Sequence, residues 1–229
     1  MAAGLQGRGG VKGVAVGFRI QRLEPLHGQR TVTLLDELRV SLFGVASVGL
    51  YEILVDDATR GRIDARIATD GSAVAGVVIA APASYWRSAL LAHPSLALQC
   101  AASRLRNHAG QRVHRFPPPP RLPADVNNAR PPYTWNEPGD AWRVVIVGTG
   151  AASRGRGIAT RLYERVMEDR SLVARIAADN SASLRLHQSL GWQLFPDGDV
   201  ILGVHTRQAD GRAGAGGAVR TPRAQPTSR

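Results

Sequence analysis

The stretch that decides the fold is Trp142–Arg170, WRVVIVGTGAASRGRGIATRLYERVMEDR. Residues 142–149 are almost continuously apolar, which predicts a strand buried on both faces. A glycine-rich loop follows, and Ile158, Leu162 and Val166 then recur at i, i+4 and i+8, so a helix beginning near Gly157 packs one stripe on the sheet. Strand, glycine-rich loop and helix start together aim unpaired N–H groups and the positive end of a helix dipole at one point, where a phosphate is the natural guest. A side chain at Gly155 or Gly157 would hold that phosphate away from the amides.

Three phosphate-binding patterns compete for this turn. A dinucleotide fingerprint starting at Gly148 and Gly150 needs glycine where Ser153 stands, and the chain lacks the alternating βαβ units of that fold. A P-loop from Gly150 to Gly155 fails because Arg156 and Gly157 replace the lysine and the serine or threonine that neutralise phosphate and hold magnesium. The remaining pattern, Arg-x-x-Gly-x-Ala, is matched by Arg154, Gly157 and Ala159.

Immediately downstream, Leu172–Phe195 reads LVARIAADNSASLRLHQSLGWQLF. It divides into a strand at 172–178, a helix at about 181–190 and a strand at 191–195, with Asn180 as a helix cap and Gly191 as a helix stop. The loop pattern and the series Asn180, Ser183, Leu186, His187, Gly191, Trp192, in that order, resemble the two signatures of the GNAT N-acetyltransferase superfamily over about 142–206. The resemblance implies an α/β (α+β) fold: one GNAT-like domain whose mixed, mostly antiparallel central sheet splays between its fourth and fifth strands, with helices on both faces.

It further implies acetyl-CoA as co-substrate and no metal. The pantetheine arm would pair with backbone groups of Val147, Gly148 and Thr149, and the pyrophosphate would sit on the loop Arg154, Gly155, Arg156, Gly157, Ile158 and Ala159. Asn180 would lie near the arm, and Ser183 would support the helix after it. Thr149 and Ala151 stand where the family often has valine and proline, a departure that backbone contacts tolerate. His187 occupies the place of a tyrosine that donates a proton to the leaving thiolate in many members, and imidazole titrates in a suitable range. Glu137 and Asp140, just before the central strand, are the candidate bases for the attacking amine, although NEPGD also reads as an ordinary turn. Tyr163 and Cys100 read as packing residues.

Upstream, residues 14–23 alternate like a first strand, and 31–43 place Leu34, Leu35, Leu38 and Leu42 at helical spacing behind a Thr31 cap. A short helix near 46–54 precedes two extended runs, 62–69 and 73–81, around Asp70-Gly71, a strong hairpin signal. Two short helices are expected after it, broken by Pro94, and then a long exposed Pro-rich stretch to 135; together they form an insertion at 82–135 between the third and fourth strands. The domain is expected over 14–206, with a flexible start at 1–13 and a disordered basic tail at 207–229.

The chain has 229 residues, is 44% apolar and carries a formal charge of +11. Only Lys12 among its 29 basic residues is lysine. Much of the excess lies in the two ends, so a nucleic-acid partner is the weaker expectation against base composition of the genome. A single cysteine excludes a disulfide framework and a thiolate metal site. Without an apolar leader or a long apolar run, a cytoplasmic protein with no membrane partner is expected. The functional expectation is acyl transfer from acyl-CoA to the amine of a small molecule in a ternary complex, by a monomer or a homodimer. The alternative is a coenzyme A-binding or regulatory protein of the same fold without turnover. Trp86, Tyr133, Trp135 and Trp192 are candidate walls of an acceptor pocket.

Overall fold

The computed structural model describes residues 17–42, 45–111, 141–197 and 200–207. Most of the Pro-rich stretch, both chain ends, Glu137 and Asp140 lie outside the described residues. Seven strands form one sheet in the order β1-β2-β3-β4-β5-β7-β6. They are β1 (Arg19–Arg22), β2 (Asp64–Asp70), β3 (Ala73–Pro82), β4 (Trp142–Thr149), β5 (Leu172–Ala177), β6 (Gln193–Asp197) and β7 (Val200–His205). Every neighbouring pair is antiparallel except β4 and β5, which run parallel. The helices are α1 (Gly28–Glu37), α2 (Val48–Thr59), α3 (Tyr85–Ala92), α4 (Pro94–Gln111), α5 (Ile158–Met167) and α6 (Ser181–Ser189).

Period-two alternation along β3 divides the core. Val77, Ile79 and Ala81 face α1 to α4, where Leu35, Leu50, Tyr51 and Leu54 are fully buried. Val78 and Ala80 face the other way, onto Ile158, Leu162 and Val166 of α5 and Leu184 of α6. The central sheet is thus mixed, mostly antiparallel and covered by helices on both faces.

The first helix differs from the sequence reading. It begins at Gly28, three residues earlier, because a turn of 3-10 helix at Pro25–His27 already directs the chain. Thr31 is therefore no cap; it is buried in the helix and its hydroxyl donates to the His27 carbonyl at 3.0 Å. The helix stops at Leu38, Arg39 turns left-handed with φ 48°, and Leu42 pairs with Val45 in a small bridge. α2 runs five residues further than expected, from a Ser47 cap whose side chain accepts the Leu50 amide. Pro94 opens α4 as its first residue, where a missing N–H costs nothing, and that helix is 18 residues long rather than short.

The closed end of the β4/β5 pair is clamped by charge. Asp64, with its side chain fully buried, has the guanidiniums of Arg66 and Arg170 at 3.2 and 3.3 Å. The Arg170 guanidinium carbon also lies over the Trp142 ring, 3.6 Å from its centre. The Trp142 amide donates to the Ser171 carbonyl at 2.9 Å, so both strands start tied together.

Candidate functional site

β4 and β5 pair only through Trp142 with Leu172 and Arg143 with Val173. Beyond those pairs they diverge, and the β5-facing edge of β4 from Val144 to Thr149 has no strand partner. The expected burial of β4 on both faces is corrected accordingly: only Ile146 is buried, and the rest of the strand is partly exposed where it borders this wedge. On its other side β4 pairs with β3 through Thr149, but Ile79 meets Ile146 while Ala80 meets Val144, leaving Val145 as a bulge.

Alternation fixes which peptide groups face the wedge. The Gly150 amide donates to the Ala75 carbonyl at 2.9 Å, so Gly148 also directs its polar groups towards β3. Val147 and Thr149 therefore turn theirs towards the wedge, while Gly148 contributes only its lack of a side chain, against which Leu38 at the end of α1 packs.

Because β4 and β5 are parallel and joined at their starts, their C-terminal ends mark the open end of the wedge, and the helices that follow each strand start there. α5 starts after Gly157, which has φ 72°, and Gly155 before it has φ 73°. A Cβ at either would meet nothing within 4 Å, so the space over these amides is open. The helix start is seated by Gly76 of β3, where a Cβ would come within 2.7 Å of Ile158 and 3.2 Å of the Gly148 carbonyl. Ile158 is buried and offers only its backbone, and Ala159 is partly buried in the first turn. Arg154 is exposed. The Arg156 guanidinium lies over the Phe18 ring at 4.1 Å and 3.8 Å from Asp70, so it fastens the loop to the β2/β3 turn.

α6 starts beside the same opening. The Asn180 side-chain oxygen accepts the Ser183 amide at 3.0 Å, leaving its NH2 group outside that bond. The wedge thus ends on the starts of two helices of ten and nine residues, an arrangement suited to an anion.

His187 of α6 is enclosed in an aromatic cluster. It is 1% exposed and sits among Tyr163, 5.0 Å between ring centres, and Trp192, 4.6 Å. Its Nδ1 is 2.7 Å from the Ser183 carbonyl, which can only accept, so Nδ1 carries the proton and Nε2 a lone pair with no hydrogen-bond partner among the described residues. Burial pushes its pKa below the ordinary histidine value, against a smaller upward effect of that hydrogen bond. In this neutral tautomer the one N–H is bound to α6's own backbone. Trp192 is buried in the same cluster, and Tyr163 beside it has its pKa raised by burial. Tyr133 and Trp135 lie outside the described residues.

On the α1 to α3 face the wedge opens into a cavity of about 370 Å³, lined by Leu42, Trp86, Arg143, Val145, Val173 and Arg175 among others. Trp86 was anticipated as such a wall. The two arginines were not, although each interrupts an otherwise apolar strand, WRVVIV and LVARIA, the pattern of a side chain that must reach water or a cleft. Among the described residues no group of three histidine, cysteine or acidic side chains is placed to hold a metal. None of their helices is long and apolar enough to cross a membrane.

No family model and no curated protein matches this chain in sequence. Solved structures match it in fold. An N-acetyltransferase from Staphylococcus aureus superposes with a TM-score of 0.51 at 13% identity, over 84% of this chain and 99% of that one. A GNAT-family protein from Desulfovibrio desulfuricans gives 0.51 at 12%, over 84% and 100%. A Salmonella typhimurium protein solved with its cofactor acetyl-CoA gives 0.50 at 13%, over 87% and 98%. The architecture of this chain is the GNAT fold.

Proposed function

We propose that this GNAT-fold chain is an acyltransferase that moves an acetyl or related acyl group from acyl-CoA to the amine of a small molecule, with both substrates bound together. The observation that carries the reading is the bare β4 edge at Val147 and Thr149 running up to the starts of α5 and α6. An amide-bearing arm fits such an edge as an added strand, since the edge offers donors and acceptors at strand spacing. The open left-handed positions Gly155 and Gly157 fit a diphosphate held by main-chain amides.

The residues that would hold the donor are the backbones of Val147 and Thr149 beside Gly148, the amides of Arg154 to Ala159, and the Asn180 side-chain amide, with Ser183 anchoring Asn180. The donor supplies a thioester whose carbonyl carbon accepts the amine lone pair while the C–S bond breaks and its electron pair leaves on sulfur. The chain's part is positioning: β4 orients the arm, the bulge at Val145 frees a peptide unit beside the wedge for the developing oxyanion, and the cavity admits the amine. The proton lost by the amine is assigned to Glu137 or Asp140, directly or through water, and returns to the thiolate through solvent. His187 takes a positioning role, holding α6 through Ser183.

A coenzyme A-binding protein without turnover shares the first half of this reading, and the neutral state of His187 favours it. Calorimetry with acetyl-CoA followed by thiol release over a panel of amines separates the two. Binding with release supports the transferase, binding with none across donors and acceptors supports the alternative, and no binding by the folded protein removes both.

A further inference from the structure

Most of the described residues that line the cavity on the α1 to α3 face are apolar. Leu42, Trp86, Val144, Val145, Val173 and Leu202 reach it from the α1–α2 connection, α3 and three strands of the sheet. The cations beside them are already engaged: Arg175 faces Asp197 at 3.5 Å, and Arg143 has an interaction of its own. Trp86 is held in place through its neighbour. Tyr85 is buried at the start of α3, its hydroxyl donates to Asp57 at 2.8 Å, and Arg62 donates to the same carboxylate at 2.9 Å, which ties α3 to α2. The Trp86 ring meets the Tyr85 ring edge-on with centres 5.1 Å apart, yet Trp86 is only half-buried and borders the cavity.

We propose that the acceptor is a primary amine with a hydrocarbon body, arylalkyl or branched alkyl and without a second charge, and that Trp86 is the residue that selects it. This rests on the transferase reading above and names the substrate class of that same site. A half-wet indole flanked by leucines and valines in a concave site gains most from a guest that takes this apolar surface out of water. Each methylene so buried is worth about fourfold in affinity. A polar or doubly charged body gives up hydration at such a wall and finds no hydrogen-bond partner on it in return. An aromatic body gains a ring contact with the indole besides. Val145, whose bulge lies beside the reacting carbonyl in the reading above, belongs to the same wall, so the carbon atoms next to the amine are the ones that meet it. Because Tyr85 and Asp57 fix the start of α3, the indole is preset for the guest and little ordering is required of it on binding.

The test uses the full chain, acetyl-CoA and acceptors that share a primary amino group and differ in the body: phenethylamine against ethanolamine, and isopentylamine against putrescine. Thiol release gives kcat/KM per unprotonated amine. The hydrocarbon member of each pair is expected to exceed its partner by about tenfold or more, chiefly through KM. Trp86→Ala is expected to narrow both gaps to about threefold or less, and Trp86→Phe to restore most of the phenethylamine gap. Each gap is a ratio within one protein, so a smaller folded fraction leaves it unchanged. The inference is overturned if the polar member of either pair matches or exceeds its counterpart, if neither hydrocarbon amine is acylated, or if Trp86→Ala leaves both gaps as they were. It also falls if hexanoyl-CoA outperforms acetyl-CoA and loses that advantage in Trp86→Ala, which assigns the wall to the acyl chain. Acetyl-CoA calorimetry on the same samples separates the failures: retained binding removes the acceptor assignment alone, and lost binding removes the transferase reading with it.

Discussion

The His187 imidazole meets the Trp192 indole edge-on, with ring centres 4.6 Å apart and planes at 88°, and Tyr163 packs edge-on to both. The indole N–H points to the Met167 sulfur at 3.4 Å, so the cluster joins α6, the start of β6 and the end of α5. Replacing His187 by Ala leaves a hole in this cluster and frees the Ser183 carbonyl. We expect a loss of about 2–4 kcal/mol in urea unfolding, with acetyl-CoA affinity of the folded fraction changed less than about threefold. An unchanged stability with collapsed turnover would return His187 to the reaction.

The same burial links stability to pH. His187 and His205 both have folded pKa values lowered by desolvation, so the unfolded chain binds protons more readily. Their contribution is complete above the unfolded value near 6.5 and is lost as pH falls through it towards the folded values. Melting temperature should therefore decline on acidification from about pH 7.5 to 5.5, and His187→Phe should flatten that decline. A melting curve insensitive to pH in this window contradicts the burial.

Gly76→Val tests how the α5 start is seated. A Cβ there meets Ile158 at 2.7 Å and the backbone carbonyl of Gly148 at 3.2 Å, and the carbonyl cannot rotate away. The helix start must shift, at a cost of about 1–3 kcal/mol. Acetyl-CoA affinity is expected to fall at least tenfold by calorimetry, because the amides that hold the diphosphate move with it.

Gly157→Ala separates backbone conformation from space. Nothing lies within 4 Å of a Cβ there, yet φ is 72°, so the expected cost is the left-handed penalty of about 1–2 kcal/mol. Unfolding measurements should show that loss, and calorimetry a several-fold weaker acetyl-CoA complex. Undiminished affinity would mean that the loop amides do not contact the donor.

Local signals account for much of what the sequence disclosed. Asp70-Gly71 between two β-rich runs, and the stripe Ile158, Leu162, Val166 behind glycines, are each specified by neighbours within a few residues, and both hairpin and helix stand where they were read. Thr31 misled because a hydroxyl satisfied by the carbonyl four residues back suits a helix interior as well as a cap, and the preceding turn at Pro25–His27 carried no strong signal. For His187, the spacing that places it on α6 does not say which neighbour holds its proton.

What the amino-acid order determined by itself is the succession of strands and helices, the glycine-rich turn and the cap at Asn180, since each depends on backbone preferences and periodicities that act over one or two turns of chain. What only the tertiary structure decided is how those pieces face one another. The early separation of β4 from β5, the bulge at Val145, the meeting of Arg143 and Arg175 beside Trp86 and the sealing of His187 behind Trp192 all join residues distant in the chain. Register, sheet twist and core packing set those distances, and none of them is encoded in any single stretch.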